Sequence, residues 1–520
     1  MKQKMLYLFS WVFFLLLFSS CSDDFLTEKP TMFVSPSNFY LTQEEAQLVL
    51  TGVYDGLQIS GTFQQYGYMV YWGDMGVDIE AVPSWGPVYG SYNIQATDAS
   101  IETMWKETYA AIQRTNIAIS RIGQMDESLF DEVTYGNETL NTKAVLLGEA
   151  SFIRALYYFY AEMIWGNIPL VLEETTGFGS DTYVPQSTPA EVYARIIADL
   201  EFAETNLPWV RLTEEAGRAT KGAAKSLLGN VYLQMTGFPL NQTDKFDPAI
   251  AKFREVIDKA EGEGLYELLD NYADVFDYQN PNNKEIIFAV NFQTGAEGGW
   301  NGSLIGPLGG LENGGGYETH YVNHTFEASY DSLNDVRYAH NICGISVRTG
   351  LPLTNGQFGP WKYHKPKPNS WGIQTPLDTP VLRYADVLLK YAEALNGKNA
   401  VPPAEAYWAI NKVRYRARHA DHKSDGTVLP DLANLSKEGF LTALLQEDAW
   451  ELCWEGKRKA TLIRTGKLKE YITTPHYHIE TLFGYQYYPG LNFREEYHML
   501  YPIPQREMDI NPNLVQNPGY

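Results

Sequence analysis

The sequence predicts a mainly α protein: a tetratricopeptide-like scaffold of helical pairs that carries an irregular subdomain rich in aromatics and glycine. Three observations predict it. Two segments carry the small-residue spacing of paired helices, and two further segments read as long helices. Between them lie stretches in which helical periodicity is lost and turn-forming residues accumulate.

The chain opens with Lys2 and Lys4 and then an apolar run, Leu6–Phe18, of signal-peptide length. A transmembrane helix needs about 20 apolar residues, so the run is too short to span a membrane. It stops at Cys21, with Asp23 and Asp24 behind it. Phe18-Ser19-Ser20-Cys21 resembles a bacterial lipobox, although Leu17 stands four residues before the cysteine where the usual pattern has it three before. That resemblance implies a signal peptide over 1–20, cleavage before Cys21 and lipidation of that cysteine. The body over 21–520 would then be tethered by acyl chains, more than one of which makes such an anchor stable. The plainer alternative is an ordinary secretory signal in which Cys21 is incidental.

The helical scaffold is expected over about 40–60, 96–270 and 381–520. Within "KAVLLGEASFIRALYYFYAEMIW" a long helix reads clearly, and Thr188-Pro-Ala-Glu191 opens another with a capping box. Leu228-Gly229-x-x-Tyr232 fits the first helix of a tetratricopeptide repeat, and Ala249-x₃-Phe253-x₂-Val256 its second. About eight extra residues separate them relative to the consensus period, so the repeat is divergent. Asp247 is the expected N-cap, with Pro248 at the first helical position. "RYADVLLKYAEALN", Pro402-Pro403 and Ala406-x₃-Ile410-x₂-Val413 repeat the pairing logic.

The variable subdomain is expected over about 61–95 and 271–380. Its only strand-like runs are short, as in Glu285–Phe292, and ten of the 22 residues from Gly295 to Gly316 are glycine. Loops of that length inside a domain commonly carry function. Trp85, Tyr89 and Tyr92 sit among Pro83, Gly86, Pro87 and Gly90, and turn residues flanking an aromatic argue for a displayed ring. Trp300, Asn301 and Tyr317 occupy the glycine-rich stretch. Flat rings beside amides suit the C–H faces and hydroxyls of a sugar. These six residues are the candidate ligand-binding set, with Trp361 and Trp371 in reserve.

Charge narrows the partners. With 40 basic and 63 acidic residues the net charge is −23, which disfavours nucleic acid. Cys343 and Cys453 suggest no disulfide framework, and Cys453 reads as a small buried hydrophobe. No catalytic constellation emerges. Lys225 follows alanine within a helical pattern, unlike a phosphate loop. Ser303 lacks the glycine two residues before it that a nucleophile elbow needs. His320 and His324 could share a metal only on one helix, and the glutamate of a zincin is missing between them. No metal, cofactor or enzyme activity is expected, and the carboxylates read as a solvated exterior.

Several segments together resemble the SusD/RagB family of outer-membrane nutrient-binding lipoproteins of Bacteroidetes. They are "CSDDFLTEKP", "GNIPLV", "KGAAKSLLGNVYLQMTG", "RYADVLLKYAEALN", "ELCWEGKRKATLIRTG" and the ending "YPIPQREMDINPNLVQNPGY". Ser22-Asp23-Asp24 resembles the acidic tag that sends such lipoproteins to the outer face of the outer membrane. The resemblance implies that the lipoprotein captures an oligosaccharide and hands it to a SusC-like, TonB-dependent outer-membrane barrel. A peptide-binding homologue of the same architecture is the first alternative, and a surface glycosidase the second. Glu447-Asp448 and Lys459-Ala460-Thr461 depart from residues common in the family and read as local surface changes. The proline-rich ending is expected to be extended, non-helical and packed back across the helices.

Overall fold

The computed structural model describes residues 39–64, 67–81, 89–177, 182–293, 321–345, 350–352, 358–364, 375–423, 426–473 and 489–520. Among them the principal helices, in chain order, are α1 (Gln43–Asp55), α2 (Ala99–Gln124), α3 (Thr142–Trp165), α4 (Pro189–Asn206) and α5 (Lys221–Met235). They continue with α6 (Phe246–Glu263), α7 (Tyr384–Lys398), α8 (Ala404–Ala417), α9 (Lys437–Leu452) and α10 (Arg458–Arg464). Successive helices pack on one another from α2 through α6, and α7 packs against α6, α8 and α9.

Local chemistry sets the boundaries. Thr188 caps α4 in a full capping box with Glu191, and Asp98 caps α2 by accepting from Ser100 N–H and Ile101 N–H. α6 starts at Phe246, so Asp247 lies in its first turn and is not its cap, because the preceding 3₁₀ turn Thr243–Lys245 runs straight into the helix. The spacing of the α5–α6 pair has a physical cause. A Cβ on Gly229 would stand 2.6 Å from the ring of Phe253, so glycine is what lets the two helices close on that ring. α3 is buried nearly all round, as its apolar sequence requires of a central helix.

The ending does pack back, and it answers a need of α3. The last carbonyls of a helix have no partner within it. Tyr501 N–H donates to Ile164 O at 2.7 Å, and the Asn517 amide donates to Trp165 O at 2.9 Å. The tail is not wholly extended: Gln505–Ile510 forms a short helix directly after Pro504.

Four short strands matter for the site. β1 (Glu80–Ala81) pairs antiparallel with β3 (Tyr321–Val322), and β2 (Ile286–Val290) pairs antiparallel with β4 (Thr379–Arg383) through an irregular register.

Beneath these strands lies a buried ionic network. Arg383 donates to Glu455 and Glu285 at 2.8 Å and to Glu451 at 2.6 Å. Arg416 bridges Glu285 and Glu451, Arg337 bridges Asp335, Glu447 and Glu451, Arg414 holds Glu447, and Lys362 holds Glu455. These five cations match five carboxylates, so the network is neutral while each charge keeps a partner. Glu447, Asp448 and Lys459 are all buried, which corrects the reading of those positions as surface changes. The carboxylates are therefore not simply a solvated exterior. Cys453 is buried, 3.8 Å from the Tyr330 hydroxyl.

Candidate functional site

The site is built on close backbone contacts. A π-helical turn, Tyr68–Asp74, is buried throughout. Its Gly73 meets Gly456 so closely that a Cβ there would lie 2.2 Å from the Gly456 carbonyl oxygen. Gly456 itself has φ +69°, and a Cβ on it would lie 2.5 Å from Met69 Cα. The chain then turns at Gly76 and enters β1, where Ala81 stands opposite Tyr321. Asn323 N–H donates to Ile79 O at 3.0 Å and Val322 N–H to Phe358 O at 2.8 Å, extending the ladder at both sides.

This ladder roots two candidate loops together. The segment with Trp85 leaves from Ala81, and the segment with Trp300, Asn301 and Tyr317 arrives at Tyr321. Those four residues lie outside the described residues, as do Cys21, Trp371 and His320.

Tyr89 and Tyr92 behave differently from expectation. Both are buried, at 2% and 1% exposure, so neither offers an open face to a ligand. Tyr89 lies 4.7 Å from Tyr71 and 5.9 Å from Tyr501 between ring centroids, and its hydroxyl donates to Asp98. The Tyr92 hydroxyl donates to Gly76 O at 2.8 Å, and its ring packs on Phe493 and His498. The turn that holds these tyrosines directs both rings inward, where each hydroxyl finds an acceptor. They form the floor of the region and do not present its surface.

Charges in that floor are enclosed. Asp78 holds Arg458 with two bonds of 2.8 and 2.7 Å. Asp74 accepts from Gly456 N–H at 2.9 Å, and burial pushes its carboxyl well above the usual range. Lys459 sits 5.3 Å from the centre of the Tyr92 ring. Burial pushes its amine down to about 7, against the pull of Glu80 and Asp74.

At the other end of the glycine-rich segment the structure has a feature the sequence did not reveal. A groove of about 360 Å³ is lined by Tyr54, Asp55, Gln58, Arg218 and Asn291, among others. Asp378 fixes its edge, accepting from Phe292 N–H at 2.9 Å and from the Asn291 amide at 2.7 Å. The charged groups of the groove are engaged: Asp55 with Arg114 at 2.9 Å, and Arg218 with Glu149 at 3.6 Å. The groove therefore presents an aromatic edge and amides with no spare charge. Its residues come from α1 and the 3₁₀ turn Gly56–Gln58 that follows it, the 216–218 turn and the end of β2, too far apart in sequence for spacing to connect them.

Trp361 stacks on His364 at 4.3 Å and is partly buried. His324 starts a helix, His324–Ala328, directly after β3 and the capping residue Asn323, so it shares no helical face with position 320. Its ring packs edge-on against Phe358. Among the described residues no three His, Cys, Asp or Glu side chains gather as a metal site, and no helix is long and apolar enough to cross a membrane.

Paired helices joined to short strands and irregular segments define a tetratricopeptide-like helical scaffold. Two family models match it: the SusD family over residues 352–520, and "starch-binding associating with outer membrane" over residues 24–233. The chain belongs to the SusD/RagB family. SusD-like protein P25 of Formosa agariphila is 27% identical over 566 aligned positions, which cover 98% of each chain. The starch-binding protein SusD of Bacteroides thetaiotaomicron is 24% identical, covering 80% of this chain and 82% of that one. Among solved structures, a SusD homologue of B. thetaiotaomicron superposes with a TM-score of 0.77 at 25% identity, covering 93% of this chain and 98% of that one. A laminarin-binding SusD-like protein gives 0.70, also at 25% identity, covering 92% and 100%.

Proposed function

We propose that this protein is a non-enzymatic glycan-binding lipoprotein. It captures a neutral oligosaccharide at the cell surface and delivers it to a SusC-like, TonB-dependent outer-membrane barrel. Trp85 and Trp300 are its stacking platforms, Asn301 and Tyr317 its neighbouring hydroxyl partners, and lipidated Cys21 its anchor. The ligand site belongs to the subdomain over about 61–95 and 271–380. The observation that supports this reading is the Ala81–Tyr321 pairing, because the two aromatic segments join the described chain at those two paired residues. Two similar proteins support it: SusD of B. thetaiotaomicron is a starch-binding protein, and a structural neighbour is a laminarin-binding SusD-like protein.

A glycan array combined with a hydrolysis assay on the Ser22–Tyr520 fragment tests the proposal. Binding of an oligosaccharide without release of reducing ends is the expected result. Binding of peptides alone would favour the peptide-importing architecture, and turnover would make the protein a glycosidase.

A further inference from the structure

The groove at Tyr54, Gln58, Arg218 and Asn291 shares no residue with the Ala81–Tyr321 ladder. Its volume of about 360 Å³ falls within the range of about 300–1,000 Å³ common to small-molecule sites. Leu57, Ala289 and Val290, all buried, give it an aliphatic wall. Beside that wall stand donors and acceptors that the protein itself leaves unused.

Arg218 is the donor. Its guanidinium lies 5.9 Å from the centre of the Tyr54 ring, which holds it in place. Glu149 balances its charge at 3.6 Å, too far for a hydrogen bond. That carboxylate already accepts from the Tyr54 hydroxyl at 2.6 Å and faces Arg211 at 3.1 Å. Arg218 makes no hydrogen bond among the described residues, so the five N–H groups of a half-buried guanidinium remain open. The acceptors are two side-chain amides. Gln58 donates to Asn291 O, and the Asn291 amide donates to Asp378 and Asn282. Neither amide's side-chain oxygen accepts a hydrogen bond among the described residues. Gly217 leaves the Asn291 oxygen uncovered: at φ +89° it passes so close that a Cβ would stand 2.1 Å from that atom.

We propose that this groove is a second carbohydrate site, which takes a neutral sugar unit independently of Trp85 and Trp300. A hydroxyl both accepts and donates, so neighbouring hydroxyls of one sugar can accept from Arg218 and donate to Gln58 and Asn291. The C–H face of the ring would rest on the aliphatic wall. Charge selects a neutral ligand, because Arg218 and Asp55 are balanced by Glu149 and Arg114. A peptide fits less well. It would bind a strand end by extending the sheet, but Asn291 O is taken by Gln58 and Phe292 N–H by Asp378. The inference rests on the glycan-binding function proposed above, though on none of the residues named there.

A neutral-glycan array screens the soluble Ser22–Tyr520 chain, and each glycan retained is titrated calorimetrically together with its disaccharide unit. Ala216→Trp fills the groove from its exposed rim, and Arg218→Met removes the donor while keeping bulk. Each is expected to weaken binding of the oligosaccharide by about tenfold. The double variant Trp85→Ala/Trp300→Ala is expected to keep a weak affinity for the disaccharide, which adding Ala216→Trp abolishes. If Arg218→Met fails to fold, Ala216→Trp decides. Groove variants that bind every glycan as the wild type does would overturn the second site and leave the proposed function standing. Loss confined to the groove variants would uphold the groove and remove Trp85 and Trp300 as platforms. A chain that retains peptides and no glycan would overturn both.

Discussion

Ala81 and Tyr321 face each other across a two-residue ladder, although 240 positions separate them in the sequence. Loop closure over such a distance is costly, and a two-residue ladder cannot offset it alone. The Gly73–Gly456 contact and the ionic network around Arg383 supply the remainder. The ladder is thus held by scaffold packing, and each contributor can be tested separately.

Trp85→Ala and Trp300→Ala should each weaken glycan binding by about 1–2 kcal/mol, with little change in unfolding midpoint. Tyr92→Phe should do the opposite. It removes the buried bond to Gly76 O and should lower stability by about 1 kcal/mol while leaving affinity intact. Calorimetric titration and urea unfolding of the three variants separate platform from floor. Unchanged affinity in both tryptophan variants would move the site elsewhere.

That contrast shows what could be read from the sequence. The α4 capping box and the Gly229–Phe253 spacing were legible because cap chemistry and small-residue contacts are local or follow a fixed period. Tyr89 and Tyr92 were misread because turn residues bend a chain without fixing which side its rings occupy. Glu447, Asp448 and Lys459 were misread because a buried charge differs from a solvated one only through its partners, and those lie on other elements. Arg337, for one, reaches Glu447 from 110 positions away. The groove at Gln58, Arg218 and Asn291 was missed for the same reason.

Gly73→Ala should destabilise the protein by about 3 kcal/mol or more. The added methyl meets backbone, which cannot rotate aside as a side chain would. Denaturant unfolding measures the effect. A loss below about 0.5 kcal/mol would show that the π-helical turn can move away from Gly456.

Arg383→Met should cost about 3–5 kcal/mol, because it leaves Glu285, Glu451 and Glu455 sharing fewer cations in a dry interior. Arg114→Met, which breaks a half-exposed pair with Asp55, should cost less than about 1 kcal/mol. Equal losses in the two variants would contradict the importance given to burial.

Stability should peak near pH 5. Burial pushes the Glu162 carboxyl up to about 8 and those of Asp378 and Asp448 up to about 6. The folded state then holds more protons than the unfolded chain above about pH 4, and stability rises as pH falls toward that value. His498, pushed down to about 4 chiefly by burial, opposes part of this gain below about pH 6.5. For Glu451, burial is outweighed by Arg416, Arg383 and Arg337, which hold its carboxyl down at about 2. Its stabilisation is complete above the unfolded value of about 4.3 and is lost as pH falls through about 2. Thermal midpoints should therefore be higher at pH 5 than at pH 7.5 and should collapse below about pH 4. A midpoint that rises steadily from pH 5 to pH 8 would contradict the assignment of Glu162, Asp378 and Asp448.

Glycan affinity should barely change between low salt and about 0.5 M salt. The expectation rests on which charges are available near the loops. Between Gly61 and Thr103 there is no Lys or Arg, and between Gly295 and Tyr321 there is none either. The carboxylates of the first stretch add little repulsion, because Asp74, Asp78 and Glu80 are buried and Asp98 caps α2. Glu102 pairs with Arg506 at 2.9 Å. Lys459 is buried beneath Tyr92 and cannot reach an anionic ligand above the floor. Glu297, Glu312 and Glu318 of the second stretch would repel an anionic glycan, whereas a neutral one offers no charge for salt to screen over a Debye length of about 8 Å at physiological ionic strength. A neutral oligosaccharide held by rings and amides should thus titrate with the same affinity at both salt levels in calorimetry. Tight binding of a sulfated or uronate-rich glycan, weakening steeply with salt, would require basic residues from another surface, and would relocate the site away from Trp85 and Trp300.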